Sequence, residues 1–86
     1  MVEPVVEIGT HYRVRFQGEK GKQSIVGKLM GASPLLYRFQ VGQKFSEAEG
    51  LTDLQHVIDK TLVTEMYPVK AEWRDRGNTS VFVEVR

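Results

Sequence analysis

The chain has 86 residues, a formal net charge of +1 and no cysteine. The length predicts one domain spanning residues 1–86, held together by a single modest core. The lack of cysteine excludes disulfide bridges, thiolate metal sites and cysteine nucleophiles.

The first half of the chain alternates between apolar and polar residues, which is typical of half-buried β-strands. Strands are predicted over residues 12–16, 24–30 and 35–41, separated by turns, and together they form an antiparallel meander. Gly27 in the second strand indicates a bulge, a bend or the close approach of another backbone. Before the first strand, residues 1–8 are predicted to form a loose arm.

A helix is predicted after the meander, because the spacing of apolar residues changes there. Thr52 and Gln55 match the capping box that begins many helices, and Pro68 would end the helix. Many residues of this segment are β-branched, so an extended conformation of residues 61–67 is the alternative. The apolar stripe consists of five residues at helical intervals: Leu54, Val57, Ile58, Leu62 and Met66.

Alternation returns in the last segment, where strands are predicted over residues 69–74 and 79–86 around a turn that contains Gly77. Trp73 is predicted to face the core and Phe82 the opposite side. The order of elements, β-β-β-α-β-β, predicts an α+β fold. That fold is a small five-stranded antiparallel barrel or sheet, OB-like or SH3-like, with one helix. The order does not fix which strands pair, so a barrel and an open sheet are both compatible with it.

The sequence offers little for catalysis. It has two histidines, and His56 has Asp53 and Asp59 three residues away on either side, which places the three side chains on one face of a helix. Such a group could bind a metal ion or orient a general base, but a solvated polar helix face accounts for it equally well. We therefore expect a non-catalytic protein without a metal or cofactor.

The net charge conceals two halves of opposite sign. Residues 1–45 carry seven basic and three acidic side chains, a charge of +4, whereas residues 46–86 carry five basic and eight acidic ones, a charge of −3. Basic residues on the solvent face of a small sheet can contact phosphate backbones or acidic proteins, although polar residues also cover the wet face of an ordinary sheet. The predicted binding residues are Arg13, Arg15, Lys20, Lys22, Lys28 and Arg38.

Two functions follow from this division of charge. The first is a small non-catalytic protein–protein interaction module, such as an adaptor, an inhibitor or a phage- or plasmid-type accessory protein, that uses oppositely charged sheet and helix surfaces. Such a body could pair head-to-tail with copies of itself or bind a charged protein, and an open sheet edge could accept a partner strand. The second is DNA or RNA binding by the basic face of the N-terminal sheet. A cytoplasmic location, away from membranes, is expected because no signal-peptide pattern or membrane-spanning run is present.

Overall fold

The computed structural model describes residues 5–85, which form seven β-strands and one short 3₁₀ turn but no α-helix. All of the strand pairings are antiparallel. The 3₁₀ turn, η1 (Lys60–Leu62), lies between the fourth and fifth strands. The strands are β1 (His11–Gly18), β2 (Gly21–Ala32), β3 (Leu36–Ser46), β4 (Gly50–Asp59), β5 (Val63–Pro68), β6 (Ala71–Arg76) and β7 (Thr79–Glu84).

These strands form one sheet that curls into a half-barrel. The order along the sheet is β5-β1-β2-β3-β7-β6, and β4 also pairs with β3. Strand β3 is central, because its residues 37–40 pair with β2 and its residues 42–44 pair with β7, while β4 follows its whole length. The β3–β4 ladder shifts register between Gln40 and Gly42, so Val41 forms a β-bulge. Strand β3 therefore joins the half-barrel to the C-terminal hairpin.

One face of the sheet carries the core. The alternation predicted for the first strand is confirmed, because every second residue of β1 from Tyr12 to Phe16 is buried. We call this face the inner face and the opposite one the outer face. The close approach predicted at Gly27 is also confirmed, since a Cβ atom there would lie 3.0 Å from the Phe39 Cβ. The buried apolar residues are Tyr12, Val14, Phe16, Leu29, Tyr37, Phe39 and Ile58.

The predicted helix after residue 52 is wrong, and with it the α+β fold class. The segment forms β4, η1 and β5, so the described residues contain seven strands rather than five. Its apolar residues recur at helical spacing, but Leu54 and Ile58 also fit a period of two, in which Leu54, His56 and Ile58 are less exposed than their neighbours and Val57 faces the other side. The β-branched residues favour the extended form, and pairing with β3 satisfies the backbone of β4 on that side. The extended alternative for residues 61–67 is confirmed from Val63 onward by β5, whereas Thr61 and Leu62 belong to η1.

Hydroxyl and carboxylate side chains stabilise the turns at both ends of β4. The Ser46 Oγ accepts a hydrogen bond from the Glu49 backbone N–H at 3.1 Å and so closes the turn between β3 and β4. Gly50 follows with a φ of +70°, a conformation that favours glycine. The Asp59 Oδ1 accepts a hydrogen bond from the Thr61 backbone N–H at 2.8 Å. Asp59 therefore caps the 3₁₀ turn, seven residues beyond the helix start that the sequence predicted.

The C-terminal hairpin, β6–β7, forms where it was predicted and packs against the outer face of β1. The Phe82 ring centroid lies 4.6 Å from that of His11, and the Arg13 Nε–H donates a hydrogen bond to the Glu84 Oε1 at 2.7 Å. The prediction that Trp73 faces the core is wrong. Its side chain is 43% exposed and stacks on Phe82 with 3.9 Å between ring centroids, because the hairpin lies outside the half-barrel.

Two predicted segments extend beyond the described residues, namely the first four residues of the arm and Arg86 at the end of the last strand. The described part of the arm is attached to the sheet. Val6 packs against the core, and the Glu7 backbone N–H donates a hydrogen bond to the Tyr12 hydroxyl at 3.0 Å. The segment before β1 therefore contributes to the packing of the inner face.

Candidate binding surfaces

Four of the six predicted binding residues form a line along the outer face, which we call the basic strip. Two arginines alternate along β1, and β2 places one lysine opposite Gln17 and another opposite His11. Directly opposite residues in an antiparallel pair share a face. Six residue positions of β1 separate the two ends, a length of roughly 20 Å. The basic strip consists of Lys22, Arg15, Arg13 and Lys28.

Acidic side chains neutralise half of the basic strip. Arg13 bonds Glu84 and also donates from Nη1 to the Ser24 Oγ at 2.7 Å. The Arg15 Nε lies 3.3 Å from the Glu65 Oε2. Four basic groups minus these two carboxylates leave a charge of +2. The Arg13 side chain is only 27% exposed, so it is not the open, solvent-facing cation that the sequence suggested.

The other two predicted residues lie away from the basic strip. Lys20 is in the β1–β2 turn and lines a cleft of about 620 Å³ together with His56 and Leu62. Arg38 is on β3 and lines a different cleft of about 380 Å³, beside Gly31 and Val57. The six basic residues therefore belong to more than one surface.

An aromatic stack stands at one end of the basic strip. Trp73 and Phe82 are nearly parallel, with an interplanar angle of 24°, and Phe82 meets His11 edge-on. His11 is directly opposite Lys28 in the β1–β2 register. Proteins that bind single-stranded nucleic acids commonly combine an exposed aromatic ring, on which a base stacks, with cationic side chains that contact the phosphates. Sequence reasoning missed this feature because it assigned Trp73 to the core.

Burial of His11 lowers its pKa and thereby makes the stability of the fold depend on pH. Its Nε2 is buried and has no hydrogen-bond partner among the described residues. Burial, and to a lesser extent the nearby charge of Lys28, hold the pKa of His11 below its ordinary value of 6.5. The folded chain therefore resists a proton that the unfolded chain accepts near pH 6.5, because charging this site is costly.

We expect the free energy of unfolding to decrease as the pH falls from about 7.5 to about 5, because the unfolded chain then binds a proton at His11 that the folded chain excludes. The substitution His11→Phe should remove most of this pH dependence and retain the contact with Phe82. Urea unfolding at several pH values measures the free energy of unfolding of the wild type and of the variant. Asp59 does not interfere, since hydrogen bonds from Thr61 hold its pKa below its ordinary 3.8. An unchanged pH dependence in His11→Phe would assign the effect to another group.

The metal-like group around His56 is absent, because residues three apart in a strand point to opposite faces. His56 is on the inner face, where its ring lies 5.4 Å from that of Phe16, and Asp53 and Asp59 are on the outer face. Within residues 5–85, no three His, Asp or Glu side chains lie close enough together to hold a metal ion.

Strand β4 is a long and unprotected edge of the sheet. Its ten residues pair with β3, and no other strand of the described chain pairs with it. It contains no Lys and no Pro, which proteins commonly place on edges to prevent pairing with other chains. Leu51 and Val57 point outward from β4 and are 69% and 54% exposed. The strand therefore offers both a backbone edge and apolar side chains to a partner.

The two other open edges are better protected. Strand β5 pairs with β1, has six residues and ends at Pro68. Strand β6 pairs with β7 and also has six residues. Its charged residues are Glu72, Arg74, Asp75 and Arg76. Length and composition thus distinguish β4, which has ten residues of which two are charged, from both.

Further apolar and acidic residues surround the β4 edge. Phe45 is opposite Leu51 in the β3–β4 register and is 50% exposed. The turn between the two strands adds Glu47 and Glu49, both exposed. The helix prediction hid this surface, since it placed Val57 in a stripe facing the core.

Comparisons with protein-family models, with curated proteins and with solved structures found no match for the chain. No helix within residues 5–85 is long and apolar enough to cross a membrane.

Proposed function

We propose that this chain is a non-catalytic protein-interaction module that accepts an extended segment of a partner along β4. The observation that carries the proposal is the ten-residue edge without Lys or Pro, with Leu51 and Val57 exposed on its outer side. In strand addition of this kind, main-chain hydrogen bonds provide the affinity, and the contacts of every second side chain provide the specificity. The cytoplasmic location expected from the sequence is part of the proposal.

The charged surfaces have a secondary role in this proposal. Acidic residues flank the β4 edge, with Glu47 and Glu49 in the adjoining turn and Asp53 on the strand. These carboxylates restrict the partner to segments that do not place a like charge directly opposite them in the joined sheet, because such pairs are destabilising.

The basic strip is the second candidate surface, with single-stranded nucleic acid as its ligand. The observation that favours it is the exposed Trp73 stack beside His11 and Lys28. Against it stand the two carboxylates that pair with Arg13 and Arg15. The net charge of +2 over roughly 20 Å is modest for a phosphate-binding surface.

Selection from a display library of random dodecapeptides tests the proposal. We expect selected peptides to alternate apolar and polar residues and to bind about tenfold more weakly to Val57→Lys, because lysine removes an apolar contact and protects the edge. Fluorescence anisotropy with a labelled peptide measures the affinity. Hydrogen exchange should show new protection of β4 amides in the complex.

The matched control is Leu35→Lys, an apolar-to-lysine change at an exposed residue before β3 and outside β4. It should bind the peptide like the wild type. Equal losses in both variants, or the absence of a selected peptide for a chain that is also monomeric, would refute the proposal. Binding of a single-stranded oligonucleotide that quenches Trp73 fluorescence and is lost in Arg15→Ala would support the basic strip instead.

A further inference from the structure

We infer that the strand accepted by β4 is the β4 strand of a second copy of the chain, so that two half-barrels join into one sheet around a two-fold axis at Leu54. This inference rests on the proposed function and names its partner. It comes from the order of the outward side chains, which suits pairing of the strand with itself. Those side chains are Leu51, Asp53, Gln55, Val57 and Asp59.

Geometry leaves few registers for such a pair. If the outer faces of both copies lie on the same side of the joined sheet, an odd-numbered residue must be opposite an odd-numbered one. A centre at residue 53 would place Asp53 directly opposite its own copy, and a centre at residue 56 would place Asp53 opposite Asp59. Like charges directly opposite destabilise a sheet, so these two registers are unfavourable.

Among the centres that pair at least seven of the ten β4 residues, which run from residue 53 to residue 56, those at residues 54 and 55 remain. A centre at residue 55 would place Leu51 opposite Asp59 and Asp53 opposite Val57, which buries each carboxylate against an apolar side chain. A centre at residue 54 places Leu51 opposite Val57 and Asp53 opposite Gln55, and the two-fold axis makes each pair twice. Its one acidic pair, Asp59 and Glu49, lies at the end of the ladder, because Glu49 is in the turn before β4. Apolar pairs and hydrogen-bonding pairs each stabilise a sheet by about 0.2–1 kcal/mol, so the strand sequence selects this register.

Hydrogen bonds within one copy already orient the Asp53 carboxylate for this pairing. The side-chain amides of Gln40 and Gln43 both donate to the Asp53 Oδ1, at 2.8 and 3.2 Å, which fixes the carboxylate on the outer face. In the joined sheet, the Gln55 amide of the second copy would be opposite this carboxylate and can donate to it. A polar row of glutamines and aspartates would therefore cross the centre of the interface.

Apolar rows would flank this polar centre on both sides. Phe45 is beside Leu51 in the β3–β4 register, and the inferred pairing adds Val57 of the second copy to the same row. The residues that are unusually exposed in one copy are thus the ones that the second copy covers. On the inner face, Leu54 would meet its own copy at the two-fold axis.

Single-cysteine variants test this register, because the natural chain has no cysteine. Asp53→Cys and Gln55→Cys change exposed residues that would be opposite each other, within the Cα separation that a disulfide allows. Each residue would be about 7–8 Å from its own copy, which is too far for a disulfide. We expect a disulfide-linked dimer when the two variants are mixed and oxidised, and little from either variant alone.

Other cross-linking patterns would overturn the inference. Efficient cross-linking of Gln55→Cys alone would place the centre at residue 55, and of Asp53→Cys alone at residue 53. Leu54→Cys should cross-link to itself, and its thermal unfolding in reducing buffer shows whether the variant still folds. If Leu54→Cys does not fold, the register is decided by the mixture of Asp53→Cys and Gln55→Cys.

Light scattering during size-exclusion chromatography tests whether the dimer forms at all. The wild-type chain and Leu35→Lys should dimerise as concentration rises, whereas Val57→Lys should stay monomeric. A wild-type monomer at every concentration overturns the second-copy inference, and so does a dimer that Val57→Lys leaves intact. A monomer that still binds selected peptides through β4 would retain the proposed function, so the two failures are distinguishable.

Discussion

The substitution Gly42→Ala is expected to detach the C-terminal hairpin from the half-barrel. Gly42 is opposite Val81 where β3 pairs with β7, and a Cβ atom added there would overlap the Ser80 backbone carbonyl oxygen. Backbone cannot rotate away as a side chain can, so either β3 or β7 must shift. Overpacking of this kind costs about 1–3 kcal/mol or more, which lowers the melting temperature by roughly 4–8 °C per kcal/mol in a domain of this size.

Trp73 reports the movement, because its stacking on Phe82 depends on the hairpin's position. We expect a red-shifted Trp73 emission and a lower melting temperature in Gly42→Ala. Gly18→Ala is the matched control. A Cβ atom at Gly18 would meet only the end of the flexible Gln23 side chain, which can move aside. Equal melting temperatures for Gly42→Ala and Gly18→Ala would contradict the close approach of β7 to β3 at Gly42.

The sequence predicted the strands well where only one period fits the residues. In β1, Tyr12, Val14 and Phe16 alternate with polar residues at every step, and the structure buries all three. In β4, Leu54 and Ile58 fit a period of two as well as a period of 3.6, so local spacing could not decide between strand and helix. The decision depends on pairing with β3, whose partner residues are 4 to 23 positions away along the chain and are not visible in the spacing of β4 itself.

The candidate surfaces were harder to predict than the strands. The arginines of the basic strip were found from alternation, but their partners Glu65 and Glu84 come from β5 and β7, distant in sequence. Trp73 was misplaced because alternation defines two faces without showing which one faces the core. The β4 edge was hidden by the helix prediction. Tertiary pairing, rather than local propensity, determined each of these outcomes.

Phe39→Ala is expected to destabilise the fold more than Gly42→Ala does. The side chain is fully buried at the centre of the core, near Tyr37 and against Gly27. Removing such a ring costs about 3–5 kcal/mol. A domain of this length has a total stability of roughly 4–13 kcal/mol, at 0.05–0.15 kcal/mol per residue. We therefore expect Phe39→Ala to be largely unfolded or to melt about 20 °C lower, as measured by circular dichroism.

Phe45→Ala makes the same chemical change on the same strand and is the control. Simple alternation would place Phe39 and Phe45 on one face, since six residues separate them, but the bulge at Val41 turns Phe45 to the outer face. Its truncation should therefore change the free energy of unfolding by less than about 1 kcal/mol. It should instead weaken association through β4, where the ring is beside Leu51. Equal destabilisation by the two substitutions would place Phe45 in the core and contradict both the bulge and the apolar edge built on it.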